Sequence, residues 1–220
     1  MEAIIFDLDN TLIDFMKMKR LSSEEAISAM IDAGLPMEKE KAVKILFDMY
    51  QKHGFENQKI FQFFLNETQG KVDMRILASG VVAYRRIKAS FLEPYPHTLS
   101  TLLKLKLKGI KLAVLTDAPR LEAYTRIAAA KLFPFFDVIL TADDTKAKKP
   151  STRPFLIALD RLKTVPEKTL MVGDWYDKDI IGAHRVGMKT AFAQYGTHHK
   201  PGKTDYILKS IKDLLVIMHA

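Results

Sequence analysis

Short apolar runs alternate along this chain with helix-like sequence, and that alternation limits its fold more than any other feature. The runs are residues 3–6, 111–115, 137–140, 169–172 and 189–193, with a weaker one at 206–208. Helical patterns cover residues 121–132, 153–162, 179–186 and 209–218. Residues 98–108 contain "LKLKLK", which alternates like a strand, yet Leu99, Leu102, Leu103 and Leu107 share a helical face. Gly109 then stands where a helix ends. The segment is therefore expected to be a helix. Strands alternating with helices predict an α/β fold, a Rossmann-like doubly wound parallel sheet with helices on both faces.

Residues 15–92 break this rhythm. They hold four helix-like stretches and no convincing strand. The first carries a capping-box pattern at Ser22-Ser23-Glu24-Glu25 and ends near Gly34. The others cover about 37–53, 57–69 and 73–91, and Glu93-Pro94-Tyr95-Pro96 closes the region. The expected organisation is an α/β core from 1–14 and 93–220, with a helical domain of residues 15–92 inserted after the first strand.

Composition narrows the function classes. The 220 residues are 48% hydrophobic and 27% charged, enough for a substantial core. No apolar run is long enough to span a bilayer, and the first run ends at Asp7 without a basic leader. A soluble, cytoplasmic protein without membrane partners is expected. Cysteine is absent, which excludes disulfides, thiolate metal sites and cysteine nucleophiles. The net charge of +8 fits a lysine-rich solvated surface or an anionic substrate. No nucleic-acid motif accompanies it, so no nucleic-acid partner is expected. Five glutamines and three asparagines, with no cysteine, suggest a thermophilic source.

In open parallel sheets, ligands bind beyond the carboxyl ends of the strands. Asp7, Asp9 and Thr11 follow the first run, and Thr116 and Asp117 follow "KLAVL". A lysine-bearing loop with Lys146, Lys148 and Lys149 follows "DVIL". Asp174, Asp177 and Asp179 follow "TLMV". Side chains two apart in extended chain share a face, so Asp7 and Asp9 can both line one site. Asp174 would join them from a neighbouring strand. Such carboxylates repel one another unless a cation binds, and oxygen-only ligands favour a hard ion such as Mg²⁺. The Thr116 hydroxyl and the Lys149 charge would suit a phosphoryl group. No strand end carries G-x-G-x-x-G, so a dinucleotide cofactor has little support.

These segments resemble the haloacid dehalogenase-like superfamily, most of whose members are phosphatases. "DLDNT", "LAVLTD", "KKPSTRPF" and "VGDWYDKDIIGAHRVGM" match its four motifs in order. The resemblance implies a Mg²⁺-dependent phosphatase acting on a small phosphorylated metabolite, with residues 15–92 as a helical cap. Asp7 would be the nucleophile that forms an aspartyl-phosphate. Asp9 would be the general acid and base, with its backbone carbonyl on the metal. Asp7 and Asp174 would supply carboxylates to that ion. Thr116, the backbone N–H of Asp117 and Lys149 would bind phosphate, and Lys149 would also offset the charge of Asp7. Asp179 would support Lys149 or a metal-bound water, and Thr11 would order the loop after the strand.

Two positions depart from the common pattern: Asp117 stands where relatives often have Asn, and Lys148 stands beside Lys149. Family dehalogenases generally lack an acid at the Asp9 position, so Asp9 implies phosphate-ester chemistry. A phosphomutase on the same core is the alternative, and a phospho-accepting signalling module a more distant one. A monomer or weak homodimer is expected. Asp143, Asp144 and Asp177 read as solvated loop or cap acids, and Phe61, Phe63 and Phe64 as core of the helical domain. Trp175 either flanks the site or packs at the domain edge. His198-His199 reads as an exposed loop.

Overall fold

The computed structural model describes residues 1–197 and 200–218, so His198 and His199 lie outside the described residues. In chain order, β1 (Ala3–Phe6) leads into four helices, α1 (Phe15–Asp32), α2 (Lys39–His53), α3 (Ile60–Gln69) and α4 (Met74–Ser90). Alternation follows with α5 (Thr98–Leu107), β2 (Lys111–Leu115), α6 (Arg120–Ala129), β3 (Val138–Leu140), α7 (Ala142–Thr145) and α8 (Thr152–Leu162). The chain then adds β4 (Thr169–Gly173), α9 (Ile181–His184), β5 (Lys189–Ala193), β6 (Tyr206–Leu208) and α10 (Leu214–Ile217). It divides into two compact units, Met1–Phe15 with Glu93–Ala220, and Met16–Leu92.

The first unit is a parallel sheet in the order β3-β2-β1-β4-β5-β6. The chain moves outward from β1 to β3, then returns to the far side of β1 with β4. That reversal opens a crevice beyond the carboxyl ends of β1, β2 and β4. Strand β1 is buried along its whole length, which explains why its sequence is a continuous apolar run rather than an alternating one. One face is covered by α8, whose Phe155, Ala158, Leu159 and Leu162 recur at helical spacing and pack with Ile5, Ala113, Leu115 and Met171.

The second unit is wholly helical, with a core that includes Ile27, Met30, Leu46, Tyr50, Phe61, Phe64 and Leu77. Phe61 and Phe64 are core residues as expected, while Phe63 is half-exposed against the His53 ring. Lys19 is buried in this unit. Its ammonium donates to the Phe55 carbonyl at 2.7 Å and the Tyr84 hydroxyl at 2.9 Å, and lies 4.2 Å from the Tyr50 ring centroid.

Some local expectations fail for identifiable reasons. Ser22 is not a cap, because α1 already begins at Phe15. The Ser22 hydroxyl instead donates back to the Met18 carbonyl at 2.7 Å inside the helix. Helix α5 forms, but buries Thr98, Thr101, Leu102 and Leu105 and exposes Leu99, Leu103 and Leu107. The helix expected over 179–186 starts earlier, as a π-helical turn at Tyr176–Ile180. The one expected over 209–218 is a 3₁₀ turn, Ile211–Asp213, followed by the short α10. Among the described residues, no helix is long and apolar enough to cross a membrane.

Candidate active site

Strand register carries the acidic residues to one place. The Asp7 N–H continues the β1–β4 ladder by donating to the Val172 carbonyl at 2.9 Å, so the ends of these two strands lie side by side. Asp7, Asp174 and Asp179 are all buried, and one carboxylate oxygen from each lies within 4.8 Å of the others. The close approach of Asp179 depends on Gly173, where a Cβ would come within 2.3 Å of the Asp179 carboxyl carbon. Asp179 also accepts the Trp175 N–H at 3.1 Å, which ties the π-helical turn to the end of β4.

Lys149 reaches this group from the loop after α7. Its ammonium donates to Asp7 Oδ1 at 2.5 Å, Asp179 Oδ1 at 2.6 Å and the Leu115 carbonyl at 3.0 Å. Burial disfavours the charge on Lys149, yet Asp179, Asp7 and Asp117 outweigh it and raise its pKa. Asp117 is accounted for in the same loop. Its carboxylate accepts the Lys149 backbone N–H at 3.0 Å and stands 3.8 Å from the Lys178 ammonium. The acid that is unexplained in the sequence thus anchors the backbone of the buried lysine. Lys178 in turn lies 3.9 Å from the half-exposed Trp175 ring.

Thr116 is buried at the end of β2. Its N–H donates to the Leu140 carbonyl at 3.0 Å, and its hydroxyl oxygen accepts the Ala118 N–H at 3.1 Å. Thr11 is buried too, with its hydroxyl 3.4 Å from Asp174 Oδ1. Tyr195 donates to the Thr11 carbonyl at 2.7 Å. Next to it, Gly196 lies so close to the Asn10 carbonyl that a Cβ would overlap that oxygen at 1.6 Å. The turn after β5 therefore braces the turn after β1. Asp144 completes a capping box on α7 and Asp143 accepts the Arg120 N–H, so both are cap acids.

The sequence reading missed Arg126, the largest fully buried side chain of the described residues. Its Nη1 donates to Asp9 Oδ2 at 2.5 Å, and its guanidinium lies 4.4 Å from the Phe15 ring centroid. A signal existed: Arg126 shares the buried face of α6 with Ala123 and Ile127, an unusual position for arginine.

The acidic cluster carries more negative charge than Lys149 balances. Burial pushes the Asp7 carboxyl up to about 7, with Lys149 opposing and Asp179 adding to the rise. Burial, then Asp7 and Asp179, pushes the Asp174 carboxyl to about 9. Buried carboxylates in excess over cations, with oxygen donors only, fit a hard divalent ion. In metal-free protein both groups bind protons more tightly than the unfolded chain, whose aspartates titrate near 3.8. They therefore erode stability as pH rises from about 4 to about 9. Ion binding needs them deprotonated, so it becomes more favourable as pH rises. The rise in Tm caused by a fixed excess of Mg²⁺ should be larger at pH 8 than at pH 6. Equal rises in differential scanning fluorimetry would contradict the charge argument.

A family model described as haloacid dehalogenase-like hydrolase matches residues 4–193. The chain is similar to a glyceraldehyde 3-phosphate phosphatase of Methanocaldococcus jannaschii, at 34% identity over 99% of this chain and 96% of the relative. It is also similar to the pyrophosphatase PpaX of Bacillus mycoides, at 28% identity over 98% of this chain and 96% of that protein. Among solved structures, a HAD phosphatase from Thermococcus onnurineus superposes with a TM-score of 0.70 at 23% identity. That match covers 99% of this chain and 98% of the other, and shows the fold.

Proposed function

Because this chain belongs to the haloacid dehalogenase-like hydrolase family, we propose that it is a phosphatase that hydrolyses a small phosphorylated metabolite through an aspartyl-phosphate on Asp7. The observation that carries this reading is the buried Lys149–Asp7 pair beside Asp174 and Asp179 at the strand ends. Lys149 holds one Asp7 oxygen and supplies fixed positive charge where phosphoryl oxygens would gather. The other Asp7 oxygen would attack phosphorus. The bond from phosphorus to the ester oxygen breaks, its electron pair stays on the leaving alcohol, and that oxygen takes a proton from Asp9. A water then attacks phosphorus and gives its proton to Asp9. The bond from phosphorus to Asp7 breaks, and the electron pair returns to the carboxylate.

Thr116 suits the phosphoryl group because its hydroxyl oxygen already accepts from Ala118, which directs its hydrogen elsewhere. The Asp117 backbone N–H would be a further donor. Asp7 and Asp174, with the Asp9 backbone carbonyl, would hold Mg²⁺. Asp179 would support Lys149, and the braced Thr11 turn would keep the Asp9 carbonyl in place. When bound, the ion supplies positive charge against the phosphoryl oxygens. Residues 15–92 would act as a cap that excludes water and selects the substrate.

The names of the Methanocaldococcus jannaschii and Bacillus mycoides relatives make glyceraldehyde 3-phosphate the first choice in a panel of sugar and triose phosphates, with pyrophosphate as a second class. The test is release of inorganic phosphate with and without Mg²⁺, with Asp9→Asn alongside. Turnover that needs the ion and falls by about 10²–10⁴-fold in the variant is expected. Transfer of phosphate within a sugar phosphate without release would replace the reading with a phosphomutase. A long-lived phosphoprotein without turnover would replace it with a signalling module.

A further inference from the structure

We propose that Arg126 is a positioning residue for Asp9, and so governs proton delivery to the leaving group without touching the substrate. The inference rests on the reading of Asp9 as the proton-transfer group. Arg126 rises from α6 with only 1% of its surface exposed, and Asp9 is half-buried. The 2.5 Å contact from Nη1 to Asp9 Oδ2 is charge-assisted, the kind of hydrogen bond that fixes a carboxylate's direction most firmly. Phe15, at the start of α1, lies under the guanidinium. Arg126 therefore grips both ends of the segment from Asp9 to Phe15. Within that segment, Asn10 takes the left-handed conformation at φ 59°, and the Asn10 N–H donates to the Ile13 carbonyl at 2.8 Å.

The main chain of this turn is held by Tyr195 and Gly196 on its other side. Those contacts address the backbone at residues 10 and 11, whereas Arg126 addresses the carboxyl of residue 9 itself. A fixed backbone alone leaves the Asp9 side chain its staggered rotamers, and proton transfer needs the carboxyl within hydrogen-bond reach of the leaving oxygen. Lysine at this position keeps the charge but loses the planar fork, so it restores part of the effect.

The test compares two esters. An alkyl phosphate leaves as an alkoxide that needs a proton. 4-Nitrophenyl phosphate leaves as a stable phenolate that does not. Arg126→Met should lower kcat/KM on the alkyl ester by about 10²-fold and change kcat/KM on the nitrophenyl ester by less than about fivefold. The ratio kcat/KM reports the steps up to release of the leaving group, whereas the later hydrolysis of the aspartyl-phosphate, which also uses Asp9, enters kcat on both esters. In the Asp9→Asn background the same substitution should cost nothing further on the alkyl ester. Arg126→Lys should recover part of the kcat/KM on the alkyl ester, and serves in its place if the Met variant does not fold. Equal losses in kcat/KM on both esters, or additive losses with Asp9→Asn, would overturn the proposal. A crystal structure of the variant reads the same claim without turnover. Displacement of the Asp9 carboxyl supports it, and an unmoved carboxyl overturns it. A wild-type protein that releases phosphate from neither ester nor any member of the panel defeats the phosphatase reading, and the crystal structure then decides the role of Arg126 by itself.

Discussion

Asp7→Asn should abolish phosphate release, by at least about 10⁴-fold, while leaving the protein folded. An amide cannot attack phosphorus, and a neutral side chain is a poor ligand for a hard cation. The stability outcome separates this from unfolding. Burial and Asp179 raise the Asp7 pKa, so the ionised group is held at a cost to the fold. A neutral side chain of the same shape removes that repulsion, although it also removes one partner of Lys149. At pH 8 in chelator, the variant should therefore melt no lower than the wild-type protein, as read by circular dichroism. Phosphate release at the wild-type rate would defeat the proposed nucleophile. Loss of the cooperative transition would show instead that Asp7 is structural.

Lys149→Met should remove activity and stability together. Its ammonium is the donor shared by Asp7, Asp179 and the Leu115 carbonyl, all at buried positions. Removing one member of a buried ion pair costs about 3–5 kcal/mol, because the remaining charge is left in a poorly solvated site. For a chain of this size that corresponds to a fall in Tm of roughly 10 °C. In the wild-type protein the raised lysine pKa keeps its contribution constant below the ordinary lysine value of 10.5. In the variant, Asp7 loses its cation and holds its proton more tightly, so the deficit grows as pH rises. Thermal melts at pH 5 and pH 8 in chelator check this. A deficit that is the same at both would mean that Lys149 does not carry the charge balance. Activity of at least a tenth of wild type would remove it from the chemistry.

The contrast between these two aspartate–cation pairs, Lys149 with Asp7 and Arg126 with Asp9, shows how much of the site is legible in the chain. Lys149 is marked in the sequence by its place after the third strand and by Pro150 beside it. Arg126 follows no strand end and belongs to no motif. It sits in mid-helix, and only the packing of α6 brings it to Asp9 across 117 residues of sequence. Asp117 is intermediate. Its location at the end of β2 can be read directly, but its bond to the Lys149 backbone depends on how the loop after α7 folds back.

By itself the sequence determined the alternation of strands and helices, the ends of those strands, and which acids, hydroxyl and lysine stand there. These are local properties, because burial on both faces imposes a continuous apolar run and the pleat sends residues two apart to one side. Tertiary structure decided the rest. The order β3-β2-β1-β4-β5-β6 sets Asp174 beside Asp7, since it is register between strands far apart in sequence that aligns their ends. Gly173 admits Asp179, Gly196 admits the Asn10 carbonyl, and Arg126 reaches Asp9, each by a close approach that no spacing along the chain encodes. Helix faces were decided there too. The leucines of α5 fit more than one face, and the neighbours available to pack against chose Leu102 and Leu105.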